Sequence, residues 1–204
     1  KSGAGKSTLA SLIRGDLVPT KGTVTIVDPK GKELHTSALN NKASDFFGVI
    51  QQRTYVFNTT LRDNLLIGNP HANDEELIET LHKVGLGSLL ERLPQGLNTI
   101  VNEAGLRFSL ARVLSQDAPI VILDEPMVGL DPLTEQQVLE SIFSTLQHKT
   151  IVMITHHLQG VSSMDRVLFL ENGHLKLDGH PKKLAQTSKY FQQLLALEQN
   201  ALLQ

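Results

Sequence analysis

The spacing of hydrophobic residues changes period several times along the chain, and each change marks an element. Leu9, Leu12 and Ile13 fall at helical spacing behind Lys6–Thr8, before Gly15 and Pro19 break the pattern. Thr23-Val24-Thr25-Ile26-Val27 is a β-branched strand pattern ending at the turn Asp28–Gly31, and Phe46–Gln51 predicts a second strand. From about Leu61 to Leu114 the period is mostly helical. There Asn73, followed three residues later by Glu76, forms a capping box that opens a helix on Leu77, Ile78, Leu81 and Val84. Strand patterns return at Ile120–Leu123, Thr150–Ile154 and Arg166–Leu170, with Val138, Leu139, Ile142, Phe143 and Leu146 forming one helix face between the first two. Asp131-Pro132 supplies a cap and a first helical residue, Asn172-Gly173 a hairpin turn into His174–Leu177, and Ser188–Gln204 an amphipathic helix. This alternation predicts an α/β fold with a mainly parallel sheet, interrupted by an inserted α-helical subdomain. The expected division is a core lobe of residues 1–57 and 116–204 and a helical subdomain of residues 58–115.

Composition narrows the functions open to such a fold. The 204 residues, 40% hydrophobic, suffice for a real core and point to a single globular unit. Nineteen Lys and Arg against 21 Asp and Glu leave a net charge of −2, so no bulk positive field is present to hold a nucleic-acid backbone. The longest apolar stretches are strand-sized, too short to cross a membrane. With no Cys there is no disulfide framework and no thiolate chemistry, and the eight His residues show no HExxH spacing. No secretory signal is visible at the N-terminus.

The chemistry-bearing residues fall at strand and helix ends. Lys1-Ser2-Gly3-Ala4-Gly5-Lys6-Ser7-Thr8 matches the phosphate-binding loop pattern GxxxxGK[ST], except that its first glycine would precede Lys1, so the chain is expected to be truncated at its start. Gly3 and Gly5 let the backbone wrap a phosphate with its N–H groups, and the following helix adds its positive dipole end. Lys6 is then expected at the β- and γ-phosphates and the Ser7 hydroxyl at Mg²⁺. Val121-Ile122-Leu123-Asp124-Glu125 is an apolar strand ending in two adjacent carboxylates, where a phosphate-loop fold uses Asp for Mg²⁺ and Glu to polarise water. The next strand pattern ends at Thr155-His156-His157, which puts a histidine at the same sheet edge. The doublet is not expected to be a metal site, because neighbouring side chains on extended backbone point apart.

Taken in order, Lys1–Thr8, Gln52, Phe108-Ser109, Val121–Glu125, Leu130-Asp131 and His156 resemble the nucleotide-binding domain of ABC transporters over nearly the whole chain. The resemblance implies a P-loop NTPase core of the RecA-like type that binds and hydrolyses ATP with Mg²⁺. By it, Ser2, Gly3, Ala4, Gly5, Lys6, Ser7 and Thr8 hold the nucleotide phosphates, and Ser7, Gln52 and Asp124 face the metal. Glu125 deprotonates the attacking water, His156 contacts the γ-phosphate, and Gln52 relays nucleotide state to a membrane domain. Asp131 and Ser109 act across an interface with a second nucleotide-binding domain, Ser109 on that partner's ATP. A heterodimer is expected, with a homodimer in isolation as the alternative. Phe57–Leu65 is similar to the exporter wording of the family. Gln52-Arg53, Thr60–Leu65, Gly105–Ser109 and Thr155–Val161 resemble one half of the heterodimeric thiol exporters that serve cytochrome bd assembly, which implies glutathione or cysteine as cargo. The transmembrane region is expected on chain that these residues do not include, and the domain itself on the cytoplasmic face of the plasma (inner) membrane, without nucleic acid.

The chain departs from that pattern in one place. The family's signature continues from the serine into two glycines and a basic helix, whereas Phe108-Ser109 runs straight into Leu110-Ala111-Arg112. Ser109 and Asp124 are 15 positions apart, about eight fewer than the loop and its helix need. Residues left out between Ser109 and Leu110 are the expected reason, a true loss the alternative. Without those glycines the backbone donors to a partner's γ-phosphate are absent. The adenine-stacking aromatic of the family would lie upstream of Lys1, and Tyr55 and Tyr190 are expected to be packing residues. Three other functions compete: a regulatory ATP-binding half with little hydrolysis, a soluble non-transport ABC ATPase, and an ordinary P-loop kinase. The kinase gives Gln52, Asp131 and His156 no shared role.

Overall fold

A computed structural model describes residues 4–51, 56–101, 106–127, 132–158 and 160–202. The chain opens with α1 (Lys6–Arg14) and then a hairpin of β1 (Thr25–Val27) and β2 (Glu33–His35). Asp28 closes that hairpin: its carboxylate accepts the backbone N–H groups of Lys30 and Lys32, each at 2.8 Å. Next come α2 (Ala43–Phe46), β3 (Phe47–Gln51), β4 (Thr59–Thr60), α3 (Leu61–Leu66), α4 (Asp74–Lys83), α5 (Gly87–Arg92), β5 (Ile100–Val101) and α6 (Leu106–Gln116). The capping box on α4 forms as its sequence predicts, with Asn73 accepting from Glu76 N–H and Glu76 accepting from Asn73 N–H. The second half comprises β6 (Ile120–Asp124), α7 (Pro132–Thr145), β7 (Thr150–Ile154), β8 (Val167–Glu171), β9 (His174–Gly179), α8 (Pro181–Thr187) and α9 (Lys189–Leu202). Asn172 and Gly173 turn β8 into β9 with φ of 50° and 75°, the left-handed pair that a two-residue hairpin turn requires.

The parallel sheet has the order β3-β6-β7, and β6 at its centre is buried on both faces. That explains its unbroken apolar run, since a strand covered on both sides gains nothing from alternation. Successive side chains go to opposite faces. Val121 and Leu123 join Leu110 and Val113 of α6 and Ile142 of α7 on one side, and Ile122 joins Ala10 of α1 and Phe47 on the other. Outside this sheet the pairings are antiparallel, β1 with β2, β4 with β5 and β8 with β9. The apolar cluster on the α6 side also takes in Leu61, Leu65, Leu77 and Leu81, so helices α3 and α4 share one core with the sheet.

Helix α6 runs unbroken through Ser109 and Leu110 to Gln116. Ser109 and Leu110 are consecutive positions on that helix. The helix is fixed at its far end by Gln116, whose side-chain amide donates to the carbonyls of Ser44 and Phe47. Its middle is fixed by a buried polar node. Asn64 is fully buried in α3, and its side-chain nitrogen donates to the carbonyls of Phe57 and Thr60 at 2.9 and 3.0 Å. Its side-chain oxygen accepts from Phe57 N–H and from the Arg112 guanidinium, which also donates to the Asn64 backbone carbonyl at 2.9 Å. All hydrogen-bonding positions of the Asn64 amide are thus used. Burial lowers the Arg112 pKa, a sign of how much solvation the guanidinium gives up. Replacing Asn64 by Ala strands these groups and is expected to lower stability by about 2–4 kcal/mol, read as a drop in the urea midpoint at unchanged slope.

Candidate functional site

The N-terminus of α1 is built for an anion. Gly5, the residue before the helix, has φ 93° and ψ 8°, a left-handed conformation that strains any L side chain. Its carbonyl accepts Leu9 N–H at 2.9 Å, so the turn leads directly into the helix. The first turn carries no acid, while Arg14 lies in the last, where a cation suits the dipole. Ala4 is buried beneath the turn, and Ser7 and Thr8 are exposed on it. Ser2 and Gly3, the earlier part of the expected cradle, lie outside the described residues.

Strand register brings the acids to this helix end. Gln51 of β3 and Ile154 of β7 flank Asp124 of β6, so all three strands end level. Glu125, one residue on, has φ 48° and donates its N–H to the Ile154 carbonyl at 2.8 Å. The ladder thus continues one step past Asp124 while the chain turns. The Glu125 carboxylate lies 3.9 Å from Lys6 Nζ and 3.4 Å from His156 Nδ1. Asp124 is pushed above the ordinary carboxylate pKa, first by burial and then by the charge of Glu125, with Lys6 pulling the other way.

This donor set fits a nucleotide with Mg²⁺. Asp124, whose proton affinity is raised by burial and by the charge of Glu125 beside it, favours a cation there, and an exposed hydroxyl on Ser7 stands at the N-terminus of α1. Among the described residues no group of three or more His, Cys, Asp or Glu could hold a metal by itself. Mg²⁺ held through substrate phosphates needs only one or two protein carboxylates.

The histidine doublet differs from its expectation. The rings of His156 and His157 do not point apart; their centroids are 4.1 Å apart at 43°. Strand β7 ends at Ile154, so the doublet sits on a turn, and the alternation of extended backbone does not apply. Behind the pair opens a groove of about 310 Å³ lined by both histidines, Leu158, Phe169, Leu194 and Leu197. Its mostly apolar walls are unlike a phosphate site. Tyr190 packs edge-on against Phe169, with ring centroids 5.5 Å apart.

The structure therefore brings Lys6, Asp124, Glu125 and His156 together. Ser109 is buried, at 4% exposure, within α6. Gln52 and Asp131 lie outside the described residues, as does Tyr55. Two contributors escaped the sequence reading. The Asn64 node had a visible signal, a polar residue on the same helical stripe as Leu61 and Leu65. Thr155, whose hydroxyl accepts His157 N–H at 3.0 Å, had only its place before the doublet.

Such a phosphate-loop helix beside paired carboxylates on a parallel sheet defines an ATPase-type fold, and the chain belongs to the ABC transporter family, which residues 1–128 match. It is 42% identical to the glutathione/L-cysteine transport system ATP-binding/permease protein CydD of Bacillus subtilis (strain 168), over 93% of this chain and 34% of that protein. It is 38% identical to the corresponding protein CydC of Escherichia coli (strain K12), over 94% of this chain and 34% of that protein. Its fold is similar to that of a bacterial Atm1-family ABC exporter with ATP bound, with a TM-score of 0.82 and 28% identity over 97% of this chain and 35% of that one. The chain thus spans about a third of the length of these relatives. Members of the family bind ATP, and the core is the P-loop NTPase α/β fold that the motifs predict.

The raised pKa of Asp124 has a measurable sign. An acid that binds its proton more tightly in the folded state makes stability fall as pH rises from its ordinary value through the raised one. Asp124→Asn should therefore raise the thermal midpoint of the nucleotide-free chain at neutral pH, with the gain narrowing toward about pH 4, where the unfolded carboxyl begins to protonate. Thermal melts at pH 7.5 and near pH 4 test this.

Proposed function

We propose that this chain is the ATP-binding and ATP-hydrolysing part of an ABC exporter, powering transport through a membrane region carried on other chain. The carrying observation is that the Glu125 carboxylate stands within 4 Å of both Lys6 and His156 at the end of the parallel sheet. In this reading Ser2, Gly3, Ala4, Gly5, Lys6, Ser7 and Thr8 cradle the phosphates. Ser7, Asp124 and Gln52 would hold Mg²⁺, which would supply charge neutralisation. Glu125 takes the proton of the attacking water, and His156 hydrogen-bonds the γ-phosphate oxygen as its charge grows. Asp131 lies at the interface with a second nucleotide-binding domain. The names of CydD and CydC support glutathione or cysteine as cargo and a heterodimer as the assembly. The site would then stand at the cytoplasmic face of the plasma membrane; no helix among the described residues is long and apolar enough to cross it.

The test is Glu125→Gln, which keeps shape and removes the base. ATP turnover should fall by about 10²-fold or more while ATP binding persists. An unchanged rate would remove Glu125 from the assigned role.

A specific observation also favours a division of labour. What supports this reading is that Phe108-Ser109 runs straight into Leu110-Ala111-Arg112 without the two glycines of the family signature, and that Ser109 is buried in α6. The chain would receive a signature from its partner and give none. Two copies of this chain alone should hydrolyse ATP at background rate. A partner with a whole signature should restore turnover that is again lost with Glu125→Gln in this chain, measured as phosphate release from the mixed pair.

A further inference from the structure

Strands β6 and β7 end in register, and the chain leaves each by a different device. Glu125 turns through a left-handed backbone while its N–H stays on the Ile154 carbonyl. Thr155, half-buried and first beyond β7, turns the other chain: its Oγ1 accepts the N–H of His157 at 3.0 Å, a two-residue span with His156 at its middle. Such a hydroxyl-to-backbone bond replaces the extended path that would alternate the two imidazoles. The outcome is His156 Nδ1 at 3.4 Å from Glu125 Oε2.

The packing on the His156 ring includes the His157 ring, 4.1 Å away between centroids, and the same turn sets both. The His156 side chain is 45% exposed, so its position follows from where the backbone turn points it. Farther along, the turn is held by ordinary packing, with Gly160 close against Leu139 and Val161 buried. Thr155 contributes a polar restraint within two residues of His156.

We propose that Thr155 is a positioning residue for hydrolysis, its hydroxyl acting as the acceptor that aims His156 at the Glu125 carboxylate and the phosphate beyond. This rests on the ATPase reading above. Val matches Thr in shape and β-branching but cannot accept a hydrogen bond, whereas Ser keeps the acceptor.

The experiment is steady-state ATPase kinetics on the assembled transporter with its partner. Thr155→Val should lower kcat about tenfold with KM for ATP held within about twofold, and Thr155→Ser should recover most of the rate. In a His156→Ala background, Thr155→Val should change kcat by less than about twofold, since the two act as a unit. Equal losses in both backgrounds, full activity of the Val variant, or failure of Ser to rescue would overturn the proposal. If the Val variant does not fold, Thr155→Ala takes its place in the same cycle. Glu125→Gln separates the two levels: turnover intact in that variant sinks the ATPase reading and this inference with it. Turnover lost there, with an additive Thr155 cycle, sinks only the positioning role.

Discussion

The register of β6 against β7 is the constraint on which the site depends. With Asp124 opposite Ile154, the next residues, Glu125 and Thr155, leave the sheet side by side. A slip of one residue would send the inward side chains of β6 outward and move the carboxylates away from the histidine. Burial makes that slip costly: Val121, Ile122 and Leu123 are each at most 1% exposed and feed two separate apolar clusters, one per face. The α1 side of the sheet is set by the same strand, because Ile122 packs in the cluster that contains Ala10. The hydrophobic interior, together with the β6–β7 hydrogen-bond register, therefore sets the N-terminus of α1 relative to the acids.

Electrostatics at the sheet edge then follow from geometry. Lys6, Glu125 and His156 are neighbours, but Lys6 and Glu125 are about a quarter to a third exposed and 3.9 Å apart, so their pairing is loose and screened. A nucleotide phosphate competes for the same ammonium with more charge and with the α1 dipole behind it. Burial first, and then the charge of Glu125, raise the proton affinity of Asp124. A divalent cation beside it relieves that repulsion. Under the proposed reading, the position of Asp124 is thus unfavourable without a cation and suited to one.

What the sequence made legible tracks where the stabilising interactions are local. The strands β6 and β7 and the α4 capping box were readable because buried β-branched runs and a reciprocal cap carry their own signal. The pairs β1–β2 and β4–β5 were only partly readable. Thr59-Thr60 bonds to Ile100-Val101 across some forty positions, and two-residue strands have no period. The sheet edge was legible as a place, since Asp124, Glu125 and His156 all end strand patterns. The orientation of the histidines was not, because one hydroxyl accepting one N–H replaced an extended path with a turn. Ser109 is expected at an interface by resemblance, but its helical neighbours Leu110, Ala111 and Val113 are core residues, and the helix buries it with them.

Helix α6 explains how the fold persists beside a shortened signature. Its buried residues lie in one cluster with Val121 and Leu123, its far end is tied to Ser44 and Phe47, and Arg112 is tied to Asn64. None of these restraints draws on a glycine turn. Fold stability and the donation of a signature to another subunit are therefore physically separable in this chain. By contrast, Lys6, Asp124, Glu125 and His156 are set by α1 and the sheet, through contacts in which α6 contributes only its packing surface. Under the proposed reading the asymmetric role follows from that separation: the sheet edge brings together Lys6, Asp124, Glu125 and His156 and takes its signature from a partner, while Ser109 of α6 lies in the core.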